Sequence, residues 1–307
     1  MTRVVEMKIV ITGASGFIGS LLADHLWRQR HHLILLSRNP PRESNVTQQE
    51  WVFWVPGESG EWEEAIDGVD GIINLAGEPI AAKRWSDVQK EKIRFSRVET
   101  TKALVNAIAK NKQKPRFFIS SSAVGYYGGR GDEIVTEETA PGSDYLARVC
   151  VDWEREARKA ESHGIRVALV RTGIVLDKGQ GALAKMVVPF KLFVGGPLGS
   201  GNQWMPWIHI EDQIGLLLLL IENQNARGPF NATAPNPLTM TEFCKTIGAV
   251  LNRPSWAAVP GGILTLLLGE MAEMLLNGQR AVPQAATNLG YEFKYGNLLP
   301  ALESLHL

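Results

Sequence analysis

Over the first half of the chain, short runs of apolar and β-branched residues alternate with longer amphipathic stretches. The runs predict strands over residues 8–11, 33–37, 71–75, 116–120 and 166–171, and residues 51–55 are compatible with one further short strand. The amphipathic stretches predict helices near residues 18–30, 87–112 and 144–162. Because the strand runs are apolar on both faces and alternate with helices, they predict a doubly wound parallel α/β sheet.

After about residue 172 the regular alternation stops. Gly/Pro-rich loops, for example residues 194–203 and 228–238, separate shorter elements from there on. We therefore expect a nucleotide-binding sheet domain over residues 7–172 and a smaller C-terminal substrate lobe over residues 173–307. No Ser/Gly-rich or Pro-rich tether lies between them, so the two parts are expected to pack closely and share a cleft.

Charge and cysteine content limit the kinds of partner and the cellular compartment that we expect for the chain. Its 307 residues include 32 Lys plus Arg and 32 Asp plus Glu, so the zero net charge attracts neither nucleic acid nor a membrane at long range, although local basic patches are compatible with it. Cys150 and Cys244 show no zinc-ligand spacing, which favours a reducing compartment and no metal. The aliphatic run 216–221 is far shorter than the ~20 residues of a membrane span, and the opening MTRVVE lacks a signal-peptide core. We expect a cytoplasmic protein with a small-molecule substrate and leave the oligomeric state open.

A glycine-rich turn follows the first predicted strand and opens the first predicted helix. Its sequence TGASGFIG places glycines in a GxxGxxG pattern, the arrangement that lets a turn and a helix N-terminus approach a pyrophosphate. The turn predicts a Rossmann-type dinucleotide site formed by Gly13, Ser15, Gly16, Phe17, Ile18 and Gly19. The alternative is a glycine-rich turn without a ligand.

The charge at the end of the second predicted strand distinguishes NAD from NADP. An NAD-preferring site carries a carboxylate there, whereas this chain has Ser37 and Arg38. A guanidinium and a hydroxyl can hold a 2′-phosphate that a carboxylate would repel, so the pair predicts NADP as the cofactor. The alternative places Arg38 in solvent as an ordinary loop charge.

Small residues at the end of the third strand are expected beside the cofactor. Leu75, Ala76 and Gly77 lie at the carboxyl end of the strand, where doubly wound sheets hold their ligands. Arg97, on the following helix, is predicted to face a phosphate or a carboxylate, unless it points to solvent.

Several motifs together resemble the extended short-chain dehydrogenase/reductase superfamily: TGASGFIG, Ser37-Arg38, NLAG and SSSAVGYYG. The segments LAGEPI, SRVETT, DWE, RTGIVL and GGPLGSGNQWMPWIHIED are similar to an atypical epimerase-like subfamily, related to NAD-dependent epimerases/dehydratases, of unestablished substrate. The resemblance covers nearly the whole chain. It implies that Ser122 and Tyr145 are the catalytic residues and that Val175 lies near the nicotinamide. It also implies a mainly structural role for His209 and Asp212 in WIHIED.

The chain departs from the superfamily at the lysine of Tyr-x-x-x-Lys, because position 149 is Val. That lysine lowers the pKa of the tyrosine, which valine cannot do. Arg148 is either a substitute charge or a solvated one, and Tyr126 and Tyr127 either react or line the pocket. The leading hypothesis is an NADP(H)-dependent oxidoreductase for a small hydroxyl or carbonyl substrate. The alternatives are a catalytically degenerate regulatory or sensor protein and a nucleotide-sugar epimerase with altered acid/base residues.

Overall fold

The computed structural model describes residues 6–41 and 47–307, so most of the opening hexapeptide lies outside the described residues. The strands are β1 Lys8–Thr12, β2 His32–Ser37, β3 Gln49–Phe53, β4 Gly71–Asn74, β5 Phe117–Ala123, β6 Ile134–Val135, β7 Arg166–Thr172, β8 Ile174–Leu176, β9 Trp204–Met205, β10 Trp207–His209, β11 Gly228–Ala232, β12 Leu238–Thr239 and β13 Arg280–Ala281.

The helices are α1 Phe17–Arg28, α2 Glu61–Ala65, α3 Asp87–Lys110, α4 Tyr145–Arg158, α5 Gly181–Lys191, α6 Ile210–Glu222, α7 Met240–Leu251, α8 Gly261–Leu268, α9 Glu273–Leu276, α10 Gln284–Asn288 and α11 Leu298–Ser304. Short 3-10 turns cover Val124–Tyr127, Lys159–His163 and Gly269–Ala272. Asp144 caps α4 as the sequence predicts, because its side chain accepts a hydrogen bond from the amide of Ala147.

The central sheet is parallel throughout and has seven strands in the order β11-β7-β5-β4-β1-β2-β3. The chain moves outward from β1 in one direction through β2 and β3, and then returns to add β4 on the other side. This reversal opens a crevice above the carboxyl ends of β1 and β4, where doubly wound sheets bind their ligands. The predicted Rossmann-type α/β fold is confirmed.

Apolar side chains cover both faces of the sheet. One core cluster includes Leu22 and Leu26 of α1 with Leu216 and Leu220 of α6, and a second, on the other face, includes Leu104 and Ile108 of α3. Burial on both sides explains why the strands lack a polar alternation. A third cluster, formed mainly by α5, α7 and α11, contains only residues after position 172.

The expectation that residues 228–238 form a loop was wrong in its first part, because Gly228–Ala232 is strand β11 at the edge of the main sheet. Gly228 and Pro229 hide the strand in the sequence, and an edge position tolerates the missing amide hydrogen of proline. The chain therefore returns to the sheet after residue 172. Arg166 of β7 fastens this return by donating to the carbonyls of Ala226 and Ile221 at 2.9 and 3.1 Å. The boundary at residue 172 stays a prediction about domains.

Two negative observations hold for the described residues. No helix in residues 6–41 and 47–307 has the length and apolarity that a membrane crossing requires. Within the same ranges, no three His, Cys, Asp or Glu side chains are grouped as metal ligands would be.

Candidate functional site

The glycine-rich turn between β1 and α1 leaves no room for a side chain at Gly13 or Gly19. Gly13 has φ +70°, and a Cβ there would lie 2.8 Å from the carbonyl of Leu75. A Cβ on Gly19 would lie 2.2 Å from the carbonyl oxygen of Gly13, so α1 packs directly against the turn. Gly16 begins α1 without a side-chain cap, which leaves the first amides of the helix facing outward beside the exposed Ser15.

Two half-buried residues of α1 follow this turn, Phe17 and Ile18. Phe17 also lies beside the segment that follows β8. A Cβ built on Gly181 of that segment would lie 3.3 Å from the Phe17 ring and 3.3 Å from the carbonyl oxygen of Val175. The structure therefore brings Phe17 and Val175, which are distant in sequence, to the same edge of the crevice.

A buried hydrogen-bond network joins β1 to the segment after β4. The hydroxyl of Thr12 donates to Oδ1 of Asn74 at 2.7 Å and accepts from the amide of Ala76 at 3.2 Å. Nδ2 of Asn74 donates to Thr101 of α3 at 2.8 Å. These contacts hold Leu75, Ala76 and Gly77 against the glycine-rich turn, as a ligand spanning both strand ends requires.

Ser37 and Arg38 lie at the carboxyl end of β2, next to the crevice. The Ser37 hydroxyl accepts a hydrogen bond from the amide of Asn39 at 3.1 Å. Arg38 is exposed and forms no ion pair with any residue in the described part of the chain. Its guanidinium therefore faces solvent at the place where a dinucleotide of this fold carries its adenosine ribose.

Arg97 of α3 lies under the segment after β4 rather than in solvent. A Cβ on Gly77 would lie 3.2 Å from Cζ of Arg97, so the missing side chain gives the guanidinium its space. Nη1 donates to the carbonyl of Ile93 at 3.1 Å, and the guanidinium lies 5.4 Å from the Trp153 ring centre. Burial lowers the pKa of Arg97. No carboxylate within residues 6–41 and 47–307 pairs with it, which suits a cation that meets an anionic ligand.

Ser122 lies near the end of β5 and makes a buried contact that the sequence did not predict. Its hydroxyl donates to Oε1 of Glu154 on α4 at 2.7 Å. Glu154 accepts two further hydrogen bonds from Arg171 of β7, both at 2.8 Å, in a bidentate ion pair. All three side chains are nearly inaccessible to solvent.

The same network continues to the C-terminal half of the chain. Nη1 of Arg171 donates to the Tyr127 hydroxyl at 2.9 Å, and that hydroxyl donates to Oδ1 of Asn231 in β11 at 2.6 Å. Burial raises the pKa of Tyr127 to about 12, and its side chain is fully buried, so it stays neutral within this network. The Tyr126 ring centre lies 3.5 Å from Cζ of Arg171, and Tyr126 remains half-buried.

Tyr145 starts α4, as predicted, but its hydroxyl donates to the backbone carbonyl of Lys90 at 2.6 Å. Its ring packs edge to face against Trp85 with centres 5.5 Å apart, and burial raises its pKa. Val149, one turn later, is buried, and Arg148 is exposed with its guanidinium on the carbonyl of Ser143. In the described residues no hydrogen bond links Tyr145 to Ser122.

The sequence did not predict three members of the buried network: Glu154, Arg171 and Asn231. One signal was present, since Arg171 ends an apolar strand run and a charged residue there is expected to have a buried partner. Choosing that partner required contacts between elements far apart in sequence.

His209 and Asp212 take structural roles. Nδ1 of His209 accepts from the amide of Glu211 at 3.1 Å, and Asp212 accepts from the amides of Lys294 and Tyr295 at 2.8 and 2.9 Å.

Comparison with known proteins gives the family of the chain. The model of the NAD dependent epimerase/dehydratase family matches residues 9–232, and that of a domain of unknown function, DUF1731, matches residues 259–305. The epimerase family protein SDR39U1 homolog of Arabidopsis thaliana, named chloroplastic, is 41% identical over 303 residues, which cover 98% of this chain and 87% of the relative.

Two solved structures extend the comparison. The crystal structure of human epimerase family protein SDR39U1 (isoform 2) with NADPH has a TM-score of 0.85 and 32% identity, covering 97% of this chain and 99% of that chain. The nucleoside-diphosphate sugar epimerase from Corynebacterium glutamicum has a TM-score of 0.79 and 35% identity, covering 98% of this chain and 58% of that chain. This chain therefore belongs to the NAD dependent epimerase/dehydratase family.

Proposed function

We propose that the chain binds NADP(H) across the carboxyl ends of β1, β2 and β4 and acts as an oxidoreductase on a small hydroxyl or carbonyl substrate. The position and exposure of Arg38 are the observation on which the choice of NADP(H) rests. Arg38 is an exposed cation, unpaired within the described residues, at the strand end where NAD-preferring sites carry a carboxylate. The human relative solved with NADPH supports the same choice.

The residues around the crevice fit a dinucleotide. The uncapped start of α1 and the side-chain-free Gly13 and Gly16 suit a pyrophosphate, together with Ser15, Phe17, Ile18 and Gly19. Ser37 and Arg38 would hold the 2′-phosphate, and Leu75, Ala76 and Gly77 would line the adenosine side. Arg97 and Val175 are proposed as further contacts. Bound NADP(H) supplies or accepts a hydride at its nicotinamide ring.

Ser122 and Tyr145 are the residues proposed to handle the substrate oxygen. Burial raises the pKa of Tyr145, which makes its hydroxyl a weaker acid than an ordinary tyrosine, so we assign it the role of a hydrogen-bond donor that polarises a carbonyl oxygen. To do so it must release the carbonyl of Lys90. Ser122, with its own proton directed to Glu154, can accept a hydrogen bond from a substrate hydroxyl.

The cofactor assignment is tested by calorimetric titration of the protein with NADPH and NADH. We expect Arg38→Glu to weaken NADPH binding about tenfold or more, because a carboxylate repels the 2′-phosphate, and to change NADH binding little. Arg158→Glu, at the exposed end of α4, is the matched charge reversal and should bind NADPH as the wild type does. Equal losses for both coenzymes would reject the role of Arg38.

A regulatory or sensor role is the second candidate, and buried Val149 favours it. Valine at position 149 cannot lower the pKa of the Tyr145 hydroxyl, and burial outweighs the opposing effect of Arg97 and raises that pKa. A carbonyl panel assayed with NADPH separates the candidates: oxidation of NADPH supports the reductase, and tight binding without oxidation supports the sensor. An epimerase acting on nucleotide sugars, the activity named for the Corynebacterium glutamicum relative, would interconvert such a sugar without net NADPH consumption.

A further inference from the structure

Two segments of the C-terminal lobe contain basic residues and no acidic residue. Residues 178–210 and 243–269 include no Asp or Glu, although these residues are as frequent as Lys and Arg in the whole chain. The cations of the two segments are Lys178, Lys185, Lys191, Lys245 and Arg253. The balanced charge of the molecule thus conceals a local excess of positive charge.

The structure packs these two segments against each other. Trp256 donates its amide hydrogen to the carbonyl of Gly195 and its indole hydrogen to the carbonyl of Phe193, each at 3.0 Å. A bridge between Leu198 and Val259 continues the contact. The basic residues near the end of α5 and those after α7 therefore belong to one surface.

This surface exposes large apolar side chains to an unusual degree. Val188, Leu192, Phe193, Val194 and Trp256 are between 50% and 68% exposed. We call these five residues the apolar face. Single exposed apolar side chains are common, but a contiguous group of this size on a folded protein usually meets a partner.

Phe193 is held at this surface at a conformational cost. It has φ +63°, in the left-handed region that favours glycine, just beyond the end of α5. The guanidinium of Arg253 lies 4.5 Å from the centre of its ring. The left-handed residue caps α5, because the amides of Phe193 and Val194 donate to the carbonyls of Phe190 and Pro189, both at 2.9 Å, and this cap leaves the Phe193 ring exposed.

The cations lie within the same surface rather than around a separate one. Lys185 shares an exposed stripe of α5 with Val188 and Leu192, at a spacing of three and then four residues. Lys191 is exposed next to Leu192, and Arg253 covers Phe193. Lysine and arginine stems with Phe, Trp and Leu between them form the combination that lies in a lipid headgroup region.

We propose that the apolar face docks on the surface of an anionic lipid bilayer. The aromatic and aliphatic side chains would enter the headgroup boundary, and Lys185, Lys191 and Arg253 would meet the lipid phosphates. The complete lack of acidic residues in both segments favours an anionic surface over a second copy of the chain, which would bring like charges together. The proposal is independent of the reaction catalysed.

Co-sedimentation with vesicles tests this docking. We expect the wild-type chain to sediment with phosphatidylcholine vesicles that contain phosphatidylglycerol, to bind vesicles of phosphatidylcholine alone much less, and to be released by salt. Leu192→Ser should weaken binding about tenfold or more through lost apolar burial, and Lys191→Gln about fivefold through one lost charge.

Matched substitutions on the opposite part of the molecule serve as controls. Phe53→Ser removes an exposed apolar side chain from edge strand β3, and Lys110→Gln removes an exposed charge at the end of α3, so both should bind vesicles as the wild type does. Circular dichroism confirms that each variant is folded. Absence of binding to anionic vesicles would overturn the proposal, and so would a dimer in light scattering that Leu192→Ser converts to a monomer.

Discussion

The ion pair between Glu154 and Arg171 is the most deeply buried charge contact in the described residues. Its side chains are 5% and 3% exposed, and the charge and hydrogen bonds of Glu154 outweigh the effect of burial and raise the pKa of Arg171. A pair of this kind contributes little net stability compared with apolar packing, but losing one member leaves the other charged and unsolvated. Because the Ser122 hydroxyl donates to Glu154, the ion pair also fixes the position of Ser122.

We predict that Glu154→Gln destabilises the fold by about 3–5 kcal/mol, because Arg171 would keep its buried charge without a counter-ion. Urea unfolding followed by circular dichroism measures this change. Asp152→Asn is the matched control, since Asp152 lies on the same helix and pairs with Arg155 at 2.7 Å near solvent. It should cost about 1 kcal/mol or less. Similar losses in the two variants would contradict the role assigned to burial.

At the scale of elements, local patterns predicted the sheet strands well wherever an apolar run was continuous. The runs 8–11, 33–37, 71–75, 116–120 and 166–171 correspond to β1, β2, β4, β5 and β7, and the run 51–55 overlaps β3. Strand β11 was missed because glycine, proline and asparagine interrupt its pattern, and its place at the sheet edge depends on pairing with β7. The partner that stabilises β11 is distant in sequence, so a short stretch of sequence around β11 does not include it.

Helix α6 begins with a histidine cap that makes stability depend on pH. Nδ1 of His209 accepts a hydrogen bond only when it is unprotonated, and burial lowers the His209 pKa from its ordinary value of 6.5. The unfolded chain takes up the proton first as pH falls, so stability present above about pH 6.5 is lost as pH falls towards the lower pKa of the folded state. Buried His31, with its pKa also lowered by burial, acts in the same direction.

We predict that His209→Asn reduces this acid-side loss, because asparagine can still cap α6 and does not titrate. Urea unfolding at a series of pH values from 7 to 5 measures the slope of the unfolding free energy. His306→Asn, a change at the exposed histidine near the chain end, controls for the loss of an imidazole. An unchanged slope in His209→Asn would contradict the assignment.

At the scale of the whole molecule, the position of the proposed cofactor residues at the strand ends was predictable, and the surroundings of Ser122 and Tyr145 were not. The glycine-rich turn and the Ser37-Arg38 pair are local, since their residues are close in sequence and their chemistry follows from strand ends. The environments of Ser122 and Tyr145 depend on Glu154, Arg171 and the carbonyl of Lys90, which tertiary packing brings into contact. Spacing along the chain carries little information about such contacts.

The shared sheet predicts that the two parts of the chain unfold together. Strand β11, which follows residue 172, completes the sheet, and helix α6 packs on one face of it. Arg166 donates hydrogen bonds to the carbonyls of residues 221 and 226. We expect one urea transition, with the same midpoint by far-ultraviolet circular dichroism and by tryptophan fluorescence. Two separated transitions would instead support independent domains divided near residue 172.

The pairing of β6 with β13 has a consequence for synthesis of the protein. Residues 134 and 135 of β6 pair with residues 280 and 281 of β13, which are synthesised much later. A nascent chain on the ribosome therefore leaves β6 without this partner until residues 280 and 281 emerge. Premature termination shortly before residue 280 would leave the nucleotide-binding half assembled and β6 without its strand partner. Cellular chaperones and proteases would have to handle this incomplete protein.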